Sequence, residues 1–143
     1  MALLVVLPAG GVAVALSSAL FVILTKAIVG NIIPFCLGVG LLYMITFGAI
    51  PWGLIWFPSY VHSQLMRRLS RGSLIIFAAT FTAVFALGVC SAVVTSHHGP
   101  TKFLVELILL VMTSFGFVQG AVQGALFRPA LNHFRRRTTP LAT

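Results

Sequence analysis

The chain has 143 residues, 59% of them apolar and only 7% charged. A water-soluble domain carries about a quarter of its residues as charges, so this composition excludes a water-facing surface and points to one domain with lipid as its solvent. Nine Lys and Arg stand against a single acid, Glu106. The Arg residues flank apolar runs, which argues against nucleic acid and for anionic headgroups as the counter-charge.

A spanning helix needs about 20 apolar residues, and four runs meet this: approximately 3–25, 35–57, 73–94 and 103–127. None shows the period-two alternation of a barrel strand. The expected fold is therefore all-α: a polytopic membrane protein built as a four-transmembrane-helix bundle, one domain over 1–143 with a basic C-terminal tail, 128–143. The opening stretch, MALLVVLPAGGVAVALSSA, lacks a basic leading segment and is read as a retained helix, not a signal peptide. Gly10, Gly11, Ser17 and Ser18 make this helix permissive for close contact. Pro8 and Pro51 are expected to bend their helices. Cys36 and Cys90 lie inside apolar runs without a CxxC spacing, so both read as packing residues.

Orientation follows from the cations. Arg67, Arg68 and Arg71 follow the second run, and Arg128, Arg135, Arg136 and Arg137 follow the fourth. Lys26 and Lys102 lie in the opposite loops. This positive-inside bias places the 58–72 loop, the C-terminus and, by helix parity, the N-terminus in the cytoplasm. The seven arginines are expected to contact lipid headgroups. Trp52, Trp56 and Tyr60 are expected at the headgroup boundary, as an aromatic belt that agrees with this orientation.

An internal repeat is visible. Gly53-x4-Pro58-x3-His62 precedes Arg67-Arg68, and Gly124-x4-Pro129-x3-His133 precedes the last arginines. Each proline is expected to stop its helix, because it lacks an N–H and disfavours helix in the residue before it. The repeat is either a tandem hairpin duplication or chemistry shared by two helix exits. The turn with His98-Gly99 followed by the exit Arg128-Pro129, and the looser copy with Asn31 and Phe57-Pro58, carry a resemblance. On these residues the chain resembles an uncharacterised family of small bacterial inner-membrane proteins built of one or two two-helix hairpins. The resemblance implies a bacterial inner membrane and no particular function. The first hairpin departs from it at Pro51 and lacks Arg before its exit proline.

The fourth helix carries Gly116-x3-Gly120-x3-Gly124, a flat stripe where another helix can approach. At about 100° per residue, this stripe shares one arc of about 140° with Lys102, Glu106, Thr113, Gln119 and Gln123. The opposite arc (Leu104, Ile108, Val111, Phe115, Val118, Val122, Leu126) is wholly apolar and is expected to face lipid. Lipid cannot satisfy an amide or carboxylate, so the polar arc is expected to face protein or a polar cavity. Glu106 and Lys102, one turn apart, form either an ion site or a structural ion pair. Gln119 and Gln123 read as helix-packing residues, or as the lining of a polar path.

His62 and His133 occupy matching places near the basic end, and His97-His98 lie in the outer turn. His62 and His133 could hold a haem or metal between the two halves, or contact headgroups. Their place beyond the helix-ending prolines, outside the apolar core, favours headgroups. His97-His98 have no nearby Cys or acid to complete a metal site, so no metal or cofactor is expected. Catalysis has little to build on: there is no Asp, and the one Glu lacks an acidic partner. Two functions remain. The first is a non-enzymatic structural or accessory subunit whose glycine stripe docks on copies of itself or on a larger membrane complex. The second is a small homo-oligomeric transporter or channel using the Glu106/Gln119/Gln123 face.

Overall fold

The computed structural model describes residues 1–25, 31–96 and 102–138, the last two of these as backbone. Lys26, the turn with His97 and His98, and residues 139–143 lie outside them. The order is α1 (Ala2–Thr25), α2 (Ile32–His62), α3 (Gln64–Arg68), α4 (Arg71–Thr95) and α5 (Lys102–Thr138). Among the described residues there is no strand, and four helices are long and apolar enough to cross a membrane. Even the best-covered of them buries only 33% of its most apolar stretch. Leu16, Leu24, Leu54, Phe103 and Leu110 are among many large apolar side chains left exposed. An apolar surface this extensive needs a non-aqueous surrounding.

Helix α1 packs on α2 and α5, and α5 packs on α1 and α4. Small residues set these approaches. A Cβ on Gly40 would lie 2.6 Å from the Gly11 carbonyl oxygen, so α1 and α2 cross backbone to backbone. On α5 the three glycines meet α4: a Cβ on Gly116 would lie 2.9 Å from the Ala86 Cβ, one on Gly120 would lie 2.5 Å from the Ala78 oxygen, and one on Gly124 would lie 2.7 Å from the Ala78 Cβ. Ala79, Ala83 and Ala86 are buried opposite. The stripe expected to dock on another chain is thus filled by the protein's own α4. Two shallow surfaces of this kind gain dispersion contacts without needing an aqueous hydrophobic effect.

The gap between α2 and α4 is filled differently, by large rings. Tyr43, Phe47, Trp52, Trp56 and Tyr60 are all buried. Trp52 stacks near Trp56 at 4.8 Å, Trp56 meets Phe81 at 5.5 Å, and Tyr60 meets Phe127 edge-on at 4.9 Å. The expected headgroup belt of Trp52, Trp56 and Tyr60 is therefore part of the core. These rings bury more apolar area than any other side chains, and a wide interhelical gap provides the room. They carry no information on orientation, which rests on the Lys and Arg distribution alone. Tryptophan fluorescence is accordingly expected to be blue-shifted and insensitive to acrylamide and to headgroup-level quenchers. A red-shifted, readily quenched emission would contradict this burial.

The five rings share one face because α2 is not a uniform α-helix. Their spacing is 4, 5, 4 and 4 residues, and an ideal helix would carry Trp52 about half a turn away from Tyr43. Residues Met44–Ala49 and Trp52–Trp56 are instead π-helical, with Ile50 N–H donating to the Ile45 carbonyl and Phe57 N–H to the Trp52 carbonyl. Each wider turn absorbs an extra residue, and together they flank Pro51, whose ring would crowd the carbonyl of Phe47 in a regular helix.

The exit prolines do not stop their helices. Pro58 lies in the first turn of the α-helical segment Phe57–His62, and Pro129 lies inside α5, which runs on to Thr138. Ser63, extended at φ −88° and ψ 113°, ends α2, and its Oγ accepts from Met66 N–H to start α3. Ser70 caps α4 in the same way through Ser73 N–H. The 58–72 segment is thus largely helical. The repeat's two glycines also differ: Gly124 is packed on α4, whereas a Cβ on Gly53 would meet nothing within 4 Å.

Candidate functional site

Several hydroxyls among the described residues bond within their own helix, whereas the buried Thr113 Oγ1 has no partner. The hydroxyls of Ser17, Thr46, Thr82 and Ser114 donate to the carbonyl one turn earlier in their own helix, the usual solution where no water is at hand. The two glutamines of α5 cannot do so, because their longer side chains reach past their own turn and into the neighbouring helices.

Gln119 and Gln123, spaced i, i+4 on α5, are both fully buried. Gln119 Nε2 donates to the Tyr43 carbonyl oxygen at 3.1 Å. Tyr43 is the last residue before the first π segment. The change of hydrogen-bond register there frees carbonyl capacity that a neighbouring helix must satisfy. Gln123 lies over the bare backbone of α1: a Cβ on Gly10 would fall 2.5 Å from its Nε2. A Cβ on Gly48, inside the π segment, would lie 2.9 Å from Gln119 Nε2 and 3.3 Å from Gln123 Nε2. Gly10 and Gly48 therefore leave room for the amides, which converge between α1, α2 and α5.

Three of their four polar atoms have no hydrogen-bond partner: Gln119 Oε1, Gln123 Oε1 and Gln123 Nε2. Each such atom in an apolar interior costs about 1–3 kcal/mol. Next to them Trp52 Nε1 donates to Thr82 Oγ1 at 3.2 Å, so Thr82, Trp52 and Ala78 form a closed chain that offers nothing further. Tyr43 also bounds an apolar fissure of about 360 Å³ between α2, α4 and α5, lined by Phe47, Val89, Cys90, Ile108 and Met112. Its hydroxyl lies 2.9 Å from the Met112 carbonyl oxygen, to which it donates.

The other expected site residues fall elsewhere. Glu106 is on the outer surface, 64% exposed, with Lys102 Nζ at 4.0 Å and 92% exposed. It does not join Gln119 and Gln123, so the expected Glu106/Gln119/Gln123 face does not exist as one surface. The physical reason is that α5 turns two faces inward, toward α4 and toward α1 and α2, and Glu106 lies outside both near the helix start. The apolar arc holds at Leu104 and Leu126, which are exposed, and is corrected at Phe115. Phe115 is buried, in edge contact with Tyr43 at 6.1 Å, while Phe103, Leu107, Leu110 and Phe117 are exposed. An exposed i, i+4 pair is worth under about 0.5 kcal/mol. Glu106→Gln is therefore expected to leave the unfolding midpoint nearly unchanged, and a loss of several degrees would show that the carboxylate has an internal role.

At the basic end Arg67, Arg68, Arg71, Arg135 and Arg136 are exposed. Arg128 is half-buried and its Nη2 donates to the Arg67 carbonyl oxygen at 2.8 Å, tying α5 to the α3 segment. The Arg137 side chain lies outside the described residues. His62 and His133 are both exposed, and no cluster of metal-binding side chains occurs among the described residues. Cys36 and Cys90 are free thiols.

Sequence reasoning missed Tyr43, Gly48 and Gly40. The signal for Tyr43 was the five-residue step in the aromatic ladder beside Pro51. Comparison of the chain with protein-family models, with curated protein sequences and with solved structures finds no match.

Proposed function

We propose that the protein is an integral membrane protein of the transport class, handling a small polar solute at Gln119 and Gln123. It crosses the bilayer four times, with both termini and the Arg67–Arg71 loop cytoplasmic and the exposed arginines on anionic headgroups. The resemblance of its hairpins would place it in a bacterial inner membrane. The observation that carries this reading is the pair of buried amides with three unpartnered atoms, beside a helix whose bonding is interrupted. Polar groups kept at such cost inside a bundle mark a place where something polar is received. Discontinuous helices line such places in transporters.

The experiment is solute flux into proteoliposomes, wild type against Gln123→Met, with circular dichroism to verify folding. Flux above that of empty vesicles that disappears in the variant supports the reading. Wild-type rates equal to those of empty vesicles for every solute class would remove it.

The competing reading is a structural or accessory subunit. It loses the surface that suggested it, since α4 covers the glycine stripe. A stable co-purifying partner in mild detergent would restore it.

A further inference from the structure

Resting on the transport reading, we infer that the ligand of the Gln119–Gln123 site is electrically neutral, and that the site selects against ions of either sign. It follows from what can reach the site. The only acid in the chain is Glu106, which is exposed near the start of α5. Among the described residues the cations stand toward the helix ends: Lys102 at the start of α5, Arg67 and Arg68 on α3, Arg71 at the start of α4, and Arg128, Arg135 and Arg136 toward the end of α5. Between Arg71 and Lys102, and between Glu106 and Arg128, no residue carries a formal charge.

An ion at the amides would therefore be desolvated without a counter-charge. Amide dipoles with three free atoms recover only part of the lost hydration. A neutral molecule pays far less and can be fully matched.

The free atoms also state what would match. Two acceptors, Gln119 Oε1 and Gln123 Oε1, and one donor, Gln123 Nε2, are unpartnered, and the two amide nitrogens lie near one point, 2.9 and 3.3 Å from a Cβ on Gly48. The complementary ligand offers at least two N–H or O–H donors and one acceptor. Water, urea and short polyols such as glycerol share this chemistry and differ in size.

The test is stopped-flow light scattering of proteoliposomes with water, urea and glycerol as separate probes. Parallel vesicles carry pH-sensitive, potassium-sensitive and chloride-sensitive dyes. The expected result is faster entry of at least one neutral probe, abolished by Gln123→Met and retained in part by Gln123→Asn, with ion traces like those of empty vesicles. Gln123 dependence of a proton, potassium or chloride flux, with no neutral probe accelerated, would overturn neutrality while leaving the transport reading standing. No Gln123-dependent movement of any probe would overturn both. A Gln123→Met protein that loses its helical signal is replaced by Gly10→Ala. That variant crowds Gln123 from the α1 side and is expected to slow the same neutral probe.

Discussion

Replacing Gly120 with leucine is expected to unfold the α4–α5 pair, at a cost of about 3 kcal/mol or more, and not to dissociate an oligomer. A Cβ at this position would lie 2.5 Å from the Ala78 oxygen, 2.7 Å from Thr82 Oγ1 and 2.8 Å from the Ala79 Cα. Two of these three are backbone atoms, so no rotamer change relieves the clash and the helices must separate. Overpacking of this kind costs about 1–3 kcal/mol even where side chains can adjust. The measurement is thermal or denaturant unfolding in detergent micelles. Gly38→Ala and Gly88→Ala provide controls, because neither position has an atom within 4 Å of an added Cβ. They are expected to be neutral, or stabilising by up to about 1 kcal/mol through helix propensity. A folded Gly120→Leu protein of unchanged stability would mean that the stripe is not seated on α4.

Gln123→Met is expected to do the reverse, making the protein more stable while removing its solute flux. Both polar ends of the Gln123 amide are unpartnered in a fully buried position. A methionine of similar length removes that penalty and keeps the packing over Gly10, so a gain of about 1–2 kcal/mol is expected. Gln119→Met is the informative contrast. It also deletes the bond to the Tyr43 carbonyl, leaving that oxygen unpaired beside the π segment, and is expected to destabilise by about 1 kcal/mol. Stability gained at the cost of activity is the usual mark of a functional polar group. Were Gln123→Met to lose stability as Gln119→Met does, the amide would be a structural partner and not a solute site.

The two variants also separate the functions considered. A packing role for the glutamines predicts that both substitutions weaken the bundle. A solute site predicts opposite signs, because only Gln119 has a structural bond to lose. The same logic sets aside Glu106 as the centre of an ion path: an exposed carboxylate with a lysine one turn away has neither the burial nor the isolation that such a role requires.

Much of this was legible in the residues alone. Four apolar runs of spanning length, separated by short polar connections, dictated four helices, because only a helix satisfies every backbone group within one segment of chain. The inward aim of Gln119 and Gln123, and the close-packing capacity of Gly116, Gly120 and Gly124, also followed from the helical period and residue chemistry. What the pattern could not reveal was which neighbour each face meets. In lipid, a side chain facing hydrocarbon and one facing protein are equally apolar, so hydropathy does not separate Phe115, which is buried, from Phe117, which is exposed.

Only tertiary packing decided that the glycines are seated on Ala78, Ala79 and Ala86 of the same chain. It likewise drew Trp52, Trp56 and Tyr60 into the space between α2 and α4, and left Glu106 outside. The deciding quantity was how closely two helices approach, which the facing residues set: glycine on alanine between α4 and α5, rings between α2 and α4. That distance depends on pairs of helices, and one helix read by itself does not contain it.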